Sequence, residues 1–343
     1  MNKLIGYQRG VDLGGWLSQG STDKTHLDTF ITEKDIERIS SWGCDHVRLP
    51  VDYYNIENSD GTPIEAGYDY IRKCVDWCRK HGLNMVLDLH KTSGYTFDDQ
   101  AASAGFFDNE TLKERFLALW DNIAKRYAGD SDIIMFEPLN EVVRSDVVEQ
   151  WNNLLLRCIS VIHSYIPDAR VLLGGVGFNA PNAVEYLPEL PGENIVYNFH
   201  CYEPHIFTHQ TASWVDYMPE DFHIRYPGNY SEYLRLTREM TGISGHTLNC
   251  NDPSINSFGP EYFEGVFSKA VEKAERTGVP LYCGEYGVID AAEPEDTLKW
   301  FSDIHSTFEK LGIGRAVWSY KRMGFGIVDE HYDDIREKLI KLL

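Results

Sequence analysis

Eight short apolar runs, each closing on a polar residue or a glycine, limit what these 343 residues can fold into. They fall at 10–14, 46–51, 84–90, 133–141, 171–177, 195–202, 281–287 and 315–321, with cores such as VRLPV, MVLDLH, IMFEPL and IVYNF. Near-continuous hydrophobicity rich in β-branched residues is what a parallel strand buried on both faces requires. Between the runs lie helical periods at 33–42, 68–80, 109–127, 147–165, 262–276 and 295–310. In 109–127, Asn109 stands as an N-cap and Leu112, Phe116, Leu119, Ile123 and Tyr127 recur close to every 3.6 residues. Gly82 stops the helix before it. Strands alternating with helices are βαβ units and build a parallel sheet. Eight units without a break in composition predict an α/β fold of the (β/α)8 TIM-barrel kind; a doubly wound open sheet is the alternative.

One stretch departs from the alternation. Residues 203–260 separate strand six from its helix by nearly sixty residues. Structureless loops of that length are uncommon, so a folded insertion, a lid or subdomain, is expected within one barrel spanning 1–343. Its aromatic residues are scarcely denser than in the rest of the chain, so their number says nothing about a ligand.

The charge balance excludes several functions. A net charge of −21 argues against nucleic acid and against an anionic membrane surface. No run approaches 18 consecutive apolar residues, and the N-terminus lacks the pattern of a secretory leader. The expectation is a cytoplasmic protein, or an extracellular one if a leader has been removed, acting as a monomer. The seven cysteines are scattered; Cys74 and Cys78 stand four apart, without zinc or redox spacing, and read as free buried thiols.

Catalytic groups of a barrel come from the C-terminal ends of its strands. Here those ends carry chemistry. Arg48 sits inside strand two, Asp88 and His90 close strand three, and Asn140 and Glu141 close strand four. His200 and Tyr202 close strand six, Glu285 closes strand seven, and Trp318 lies in strand eight. A charge buried in a strand costs several kcal/mol unless paired, which two carboxylates beside Arg48 would achieve. Two carboxyl groups across one bond are what glycoside hydrolysis requires, one protonated to expel the leaving oxygen and one ionised to attack. Different surroundings can split their pKa values that way.

The segments VRLP, LDLH, PLNE, NFHCYEP, CGEYG and AVWSYK, with the opening GVDLGGWLS, resemble glycoside hydrolase family 5, a family of retaining β-glycosidases. The resemblance spans essentially the whole chain. It extends to the bacterial endoglucanase C-type members, which carry a long insertion in the place of 203–260. It implies Glu141 as acid/base and Glu285 as nucleophile, with Arg48 and Tyr202 holding Glu285. It implies Asn140 on the sugar 2-hydroxyl, His90 and His200 orienting substrate and acid/base, and Trp318 as a stacking platform. Pro138, before Leu139-Asn140-Glu141, departs from the usual pattern and is tolerable at a strand end. No metal and no cofactor are implied.

The function expected is therefore retaining hydrolysis of β-glucans or gluco-oligosaccharides, endo-β-1,4- or mixed-linkage β-1,3-1,4. Exo-β-1,3-glucanase, β-mannanase or another β-glycosidase on the same site is the alternative. A non-catalytic carbohydrate-binding barrel would need one carboxylate lost, and both are present. A metal-dependent barrel hydrolase would want H-x-H after strand one, where Asp12-Leu13-Gly14-Gly15 stands. Two further patterns are set aside. Gly175 to Ala180 matches a dinucleotide G-x-G-x-x-A, but at strand five and followed by prolines. His205 and His209 are spaced as helical metal ligands, but without H-E-x-x-H and beside Pro204. Trp42, Trp77, Trp120 and Trp300 lie on helical patterns and read as core; Trp16 could serve either core or site.

Overall fold

Eight parallel strands close into a ring in sequence order: β1 (Gly10–Asp12), β2 (His46–Asp52), β3 (Asn84–Lys91), β4 (Ile134–Glu137), β5 (Arg170–Gly174), β6 (Ile195–Cys201), β7 (Leu281–Tyr286) and β8 (Gly314–Val317). β8 pairs back onto β1, with Gly10 opposite Ala316, so no strand edge is left open. The structure is a computed structural model; it describes all residues except 1, 100–102, 104, 191–193 and 246. Outside the ring lie α1 (Glu33–Ser41), α2 (Glu65–His81), α3 (Glu110–Tyr127), α4 (Val148–Tyr165), α5 (Tyr230–Thr241), α6 (Pro260–Thr277) and α7 (Pro294–Leu311). The fold is a (β/α)8 TIM barrel.

Local signals set the helix ends. Thr32 and Asp35 form a reciprocal capping box on α1, and the Asn109 side chain accepts from the Leu112 amide at the start of α3. Gly82 ends α2 at φ 70°, a left-handed conformation that costs a glycine nothing. Most predicted strands run past their observed ends, the fourth and the eighth farthest. The fourth stops at Glu137 because Pro138 has no N–H to give the ladder, and the eighth stops at Val317. Asn140, Glu141 and Trp318 therefore stand just beyond the strand ends and not within the strands. Among the described residues between β5 and β6 the chain makes short helical turns, at Val176–Asn179 and Pro181–Tyr186. Gly177 and Phe178 there have left-handed backbones, so Gly175 to Ala180 opens no long helix for a dinucleotide phosphate.

The long segment between β6 and α6 is folded. It holds a turn of helix at His205–Thr208 and α5, which the Asn229 side chain caps. It is tied to α7 by the Arg225–Asp296 ion pair and by a hydrogen bond from Tyr226 to Asp303 (2.9 Å). All seven cysteines are buried and free. Trp16 is buried, stacks on Trp77 at 6.0 Å and donates to the Leu27 carbonyl, which places it in the core. No helix among the described residues is long and apolar enough to cross a membrane.

The lower half of the barrel is a dry plug. Val86, Met135, Leu172, Val196, Tyr282 and Ala316 point inward from successive strands, and Leu4 and Tyr7 of the N-terminal segment pack beneath them. Tyr7 donates to the Ile133 carbonyl (2.8 Å), and His46 meets the Tyr282 hydroxyl (2.6 Å). Gly314 lies where that segment crosses β8; a Cβ there would sit 2.1 Å from the Tyr7 carbonyl oxygen, which is backbone and has little room to move. Gly314→Ala is expected to destabilise by about 1–3 kcal/mol, in the range of overpacked cores. Thermal unfolding checks this; a melting midpoint equal to that of the parent would refute it.

Candidate active site

Alternation along the strands continues the plug upward into a polar layer. On β2 Arg48 follows His46 on the inner face; on β3 Asp88 and His90 follow Val86; on β4 Glu137 follows Met135; on β6 Asn198 and His200 follow Val196. In β7 the register against β6 shifts between Phe199 and His200, so that His200 lies opposite Glu285. Such an irregularity re-aims a side chain, and it turns Glu285 to the mouth. The preceding Gly284 has no room for more than hydrogen: a Cβ would meet the Asn198 amide and His200 Nε2 at 2.7–2.9 Å.

Arg48 is fully buried and is the hub of the layer. Its Nε and Nη2 donate to the two Glu137 oxygens (2.6 and 3.1 Å), and Nη1 donates to Glu285 (2.8 Å) and Asp12 (3.2 Å). Nη2 also reaches Asp88 (3.0 Å) and Asn140 Oδ1 (2.9 Å). Asn198 braces Glu137 with a 2.9 Å bond from its amide and accepts from the Gly284 N–H with its oxygen. One cation thus faces four carboxyl groups away from water. Burial, only partly offset by Arg48, raises Asp12 well above the usual carboxylate range and lifts Asp88 and Glu137 to about 7.

The two predicted glutamic acids meet above this hub in different surroundings. Glu285 accepts from Arg48 and from the Tyr202 hydroxyl (2.9 Å). Glu141 touches no cation; it meets Nδ1 of His200 at 2.8 Å, and Nε2 of that ring faces the Asn179 amide at 3.3 Å. Burial raises both carboxyls. In Glu141 the charge of Glu285 adds to the rise and Arg48 opposes it without contact; in Glu285 Arg48 opposes it through a direct bond, helped by His90 and the Tyr202 hydrogen bond. Burial lowers His200 well below its ordinary value and His90 to about 4, so both rings are neutral near pH 7. Oxygens of Glu141 and Glu285 and a ring nitrogen of His200 lie within 4.8 Å of one another. Among the described residues these three are the one group that could also gather round a metal ion.

All eight predicted site residues come together. His90 donates or accepts at Asp88 (2.6 Å) and lies parallel to Trp318, ring centres 5.8 Å apart. Trp318 is 7% exposed and leans over Gly14. Asn140 turns its oxygen to Arg48, while its amide nitrogen is buried without a partner and remains free to donate. His205 and His209 lie face to face. Their rings stack at 4.1 Å, with Nδ1 of His205 held by Tyr217 and Nδ1 of His209 by Thr208.

Sequence reasoning missed five supports: Asp12, Glu137, Asn198, Asn179 and Tyr95. Tyr95 accepts from the Val143 N–H and donates to the Glu141 carbonyl (both 2.8 Å), holding Glu141 at φ 34°. Glu137 had a usable signal. A carboxyl inside an apolar parallel strand has helices on one side and the barrel mouth on the other, and only the mouth offers a cation.

A closed barrel with paired glutamic acids at its C-terminal mouth is the framework of a glycoside hydrolase. The family model for cellulase (glycosyl hydrolase family 5) matches residues 13–324. The chain is 44% identical over 315 residues to cellodextrinase A of Ruminococcus flavefaciens, covering 92% of this chain and 86% of that one. It is 39% identical over 344 residues to endoglucanase C of Acetivibrio thermocellus, covering 99% and 98%. Its fold is similar to that of endoglucanase Cel5A of Thermotoga maritima, with a TM-score of 0.76 at 24% identity over 98% of this chain and 97% of that one. The chain belongs to the cellulase family, glycosyl hydrolase family 5, and is a retaining β-glucan hydrolase.

The buried hub makes a stability prediction. Glu137 is raised from an ordinary value near 4.5 to about 7. A carboxyl whose folded pKa exceeds its unfolded pKa binds the proton better when folded; its contribution is full below about 4.5 and is lost as pH rises toward 7. The melting midpoint of Glu137→Gln, measured against that of the parent protein, should therefore climb between pH 4.5 and 7. A difference that stays flat across that window would show that Glu137 carries no such proton.

Proposed function

We propose that Glu285 is the nucleophile and Glu141 the acid/base of a double displacement on β-glucan chains. The supporting observation is the asymmetry of the pair: two carboxyls within 4.8 Å, one gripped by Arg48 and Tyr202, the other against a neutral histidine with no cation in contact. Carboxyl groups of retaining enzymes lie about 5–5.5 Å apart, which leaves no room for a water between nucleophile and sugar.

Glu285 attacks the anomeric carbon as the glycosidic C–O bond breaks, and the Glu141 proton passes to the departing oxygen. The covalent glycosyl-enzyme is then opened by water, which gives its proton back to Glu141. Charge leaves Glu285 as its ester forms, and Arg48 keeps its other carboxylates, so the guanidinium is not left bare. The unpartnered Asn140 amide is placed to take the sugar 2-hydroxyl, a bond that strengthens toward the transition state. Trp318 and His90 form a flat wall for the sugar ring beside the nucleophile.

The substrates we assign are β-1,4-linked glucans and their soluble oligosaccharides, mixed-linkage chains included. The names of the two relatives at 39–44% identity, an endoglucanase and a cellodextrinase, support this class over exo-β-1,3- or mannan hydrolysis. We further read 1–343 as one catalytic barrel, with 203–260 as a subdomain walling one side of the mouth. Thr208 in that segment donates to the Tyr202 carbonyl, and the His209 ring packs edge-on to Tyr202.

Glu285→Gln should abolish turnover of cello-oligosaccharides while leaving the melting curve intact. Glu141→Gln should lose about 10²–10⁴-fold on sugar leaving groups, the usual worth of a general acid. Products are followed by chromatography, and the anomer first released by NMR. Normal turnover by the Glu285 variant, or initial release of the inverted anomer, would overturn the assignment.

The pH profile tests the roles separately. With both carboxyls raised by burial, kcat/KM should rise with pH as the pair loses its first proton, above the ordinary glutamic acid range, and fall as it loses the second. On an aryl glycoside with a good leaving group, Glu141→Gln should lack the fall at high pH. If that limb persists in the variant, its proton belongs elsewhere.

A further inference from the structure

Glu141 leans on a ring that can carry its hydrogen on either of two nitrogens. Nδ1 of His200 lies 2.8 Å from Oε1 of Glu141 and 3.7 Å from Oε2 of Glu285. Nε2 faces the Asn179 amide nitrogen at 3.3 Å, the one hydrogen-bond contact it makes among the described residues. The ring is buried and neutral near pH 7. It therefore has one N–H and one lone pair, and the partner of each nitrogen decides the character of the other. Two carboxyl groups at Nδ1 favour the hydrogen on that side. Nε2 is then a buried acceptor, and it needs a donor.

Asn179 stands where that donor is required. It is fully buried in the loop after β5, at φ 53°, a left-handed backbone that asparagine accepts more readily than most residues. Gly174 has no Cβ to obstruct its amide. The Phe178 N–H donates to the Val142 carbonyl (3.2 Å), which ties the turn to the residue after Glu141. Which nitrogen holds the hydrogen also governs the acid. With the hydrogen on Nδ1, Oε1 of Glu141 accepts it, and a proton on Glu141 is left to Oε2. That oxygen has no hydrogen bond among the described residues, and the Glu141 side chain is 12% exposed, so it is open to a leaving group. With the hydrogen on Nε2, the bare Nδ1 would take a proton held on Oε1. The acid would then be turned from the substrate toward the ring.

We propose that Asn179 is a positioning residue for the proton donor: by donating to Nε2 it fixes His200 as the Nδ1–H tautomer, which holds the Glu141 proton on the oxygen that meets the leaving group. The inference rests on the reading of Glu141 as acid/base. Asn179 acts through the ring and not on the substrate. The charged and titratable groups around the pair come from other elements: Arg48 of β2, Asp88 and His90 of β3, Asp98 beyond β3, Tyr202 after β6 and Glu285 of β7. None of them bonds Nε2, so none sets the tautomer from that side.

Two measurements test it, and the first needs no altered donor. In the parent enzyme with isotope-labelled histidine, the ring-nitrogen NMR shifts of His200 are identified as those missing from His200→Gln. They should report the hydrogen on Nδ1 at pH 7. Hydrogen on Nε2, or on both nitrogens, would overturn the proposal. The second replaces the donor by an acceptor of the same size. In Asn179→Asp the ratio of kcat/KM for cellotetraose to that for β-cellobiosyl fluoride should fall about tenfold or more, part of the roughly 10²–10⁴-fold worth of a general acid. Fluoride departs with little protonation, so its turnover, with the melting curve, reports that the variant is folded. The fall of kcat/KM at high pH should also move upward, since a bare Nδ1 favours protonated Glu141. An added charge alone would move that limb and leave the ratio at lower pH unchanged; that outcome sinks the proposal as well. Glu141→Ala on the same substrates tests the foundation. It should abolish cellotetraose cleavage and spare the fluoride. If Glu141→Ala still cleaves cellotetraose normally, the acid/base reading falls. If it behaves as expected and His200 carries its hydrogen on Nε2, or Asn179→Asp keeps the parent ratio, the role of Asn179 alone falls.

Discussion

A single guanidinium holds the mouth of this barrel together. Arg48 cannot shed its proton, and its donors form a rigid planar fork. Asp12, Asp88, Glu137 and Glu285 all close on that fork, each from a different strand. One charge cannot neutralise the arrangement if every carboxyl is ionised, which favours the protonated form of some of them. Burial away from water raises Asp12, Asp88 and Glu137 in the same direction. Loss of Arg48 would leave several carboxyl groups buried with no cation, among the more damaging events a core can suffer. The barrel supplies the geometry, since only a closed ring of strands can aim four carboxyls from four directions at one point.

The same hub separates the two glutamic acids. Both are buried, so desolvation pushes both carboxyls up. The difference lies in what each touches. Glu285 has a cation and a phenol; Glu141 has a neutral imidazole and the like charge of Glu285 opposite. A mouth built symmetrically would titrate as a pair with no preferred owner for the proton. Arg48, in contact with Glu285 alone of the two, favours the ionised form there more than in Glu141, as the roles proposed for the pair require. Tyr202 adds to that bias, and its placement depends on the segment after β6, through Thr208 and His209.

The sequence makes the barrel and the identity of its mouth legible because both follow from periodicity. A run of apolar residues ending in His90 or in Glu285 says where a strand stops and what it offers there. It does not say which way a side chain points. A strand buried on both faces shows no alternation, so only the charge of Glu137, and not the pattern around it, sets it apart from Phe136 beside it. The register shift that turns Glu285 inward is likewise invisible until β6 and β7 are paired. Asn179 and Tyr95 act from loops, where position depends on left-handed turns and not on a repeat. The insertion was legible as an interruption, but its attachment to α7 through Arg225 and Tyr226 is a tertiary fact that local sequence does not encode.

Backbone strain is distributed with the same logic. Among the described residues that are neither glycine nor asparagine, left-handed φ occurs at Gln19, Glu141, Phe178, Thr211, Leu248, Arg322 and Met323. Each lies in a segment that follows the C-terminal end of a strand or within the long insertion; none lies in the lower plug. Strain of this kind persists only where neighbouring contacts outnumber the alternatives. At Glu141 those contacts are the Tyr95 hydroxyl on the Glu141 carbonyl and the Val143 N–H, and the Asn140 N–H on the Leu89 carbonyl of β3. A relaxed backbone at this position would swing the carboxyl away from His200 and from the glutamic acid opposite. The closed, apolar lower barrel holds none of these residues, so the strain is confined to the rim that shapes the site and spares the core that the strands share.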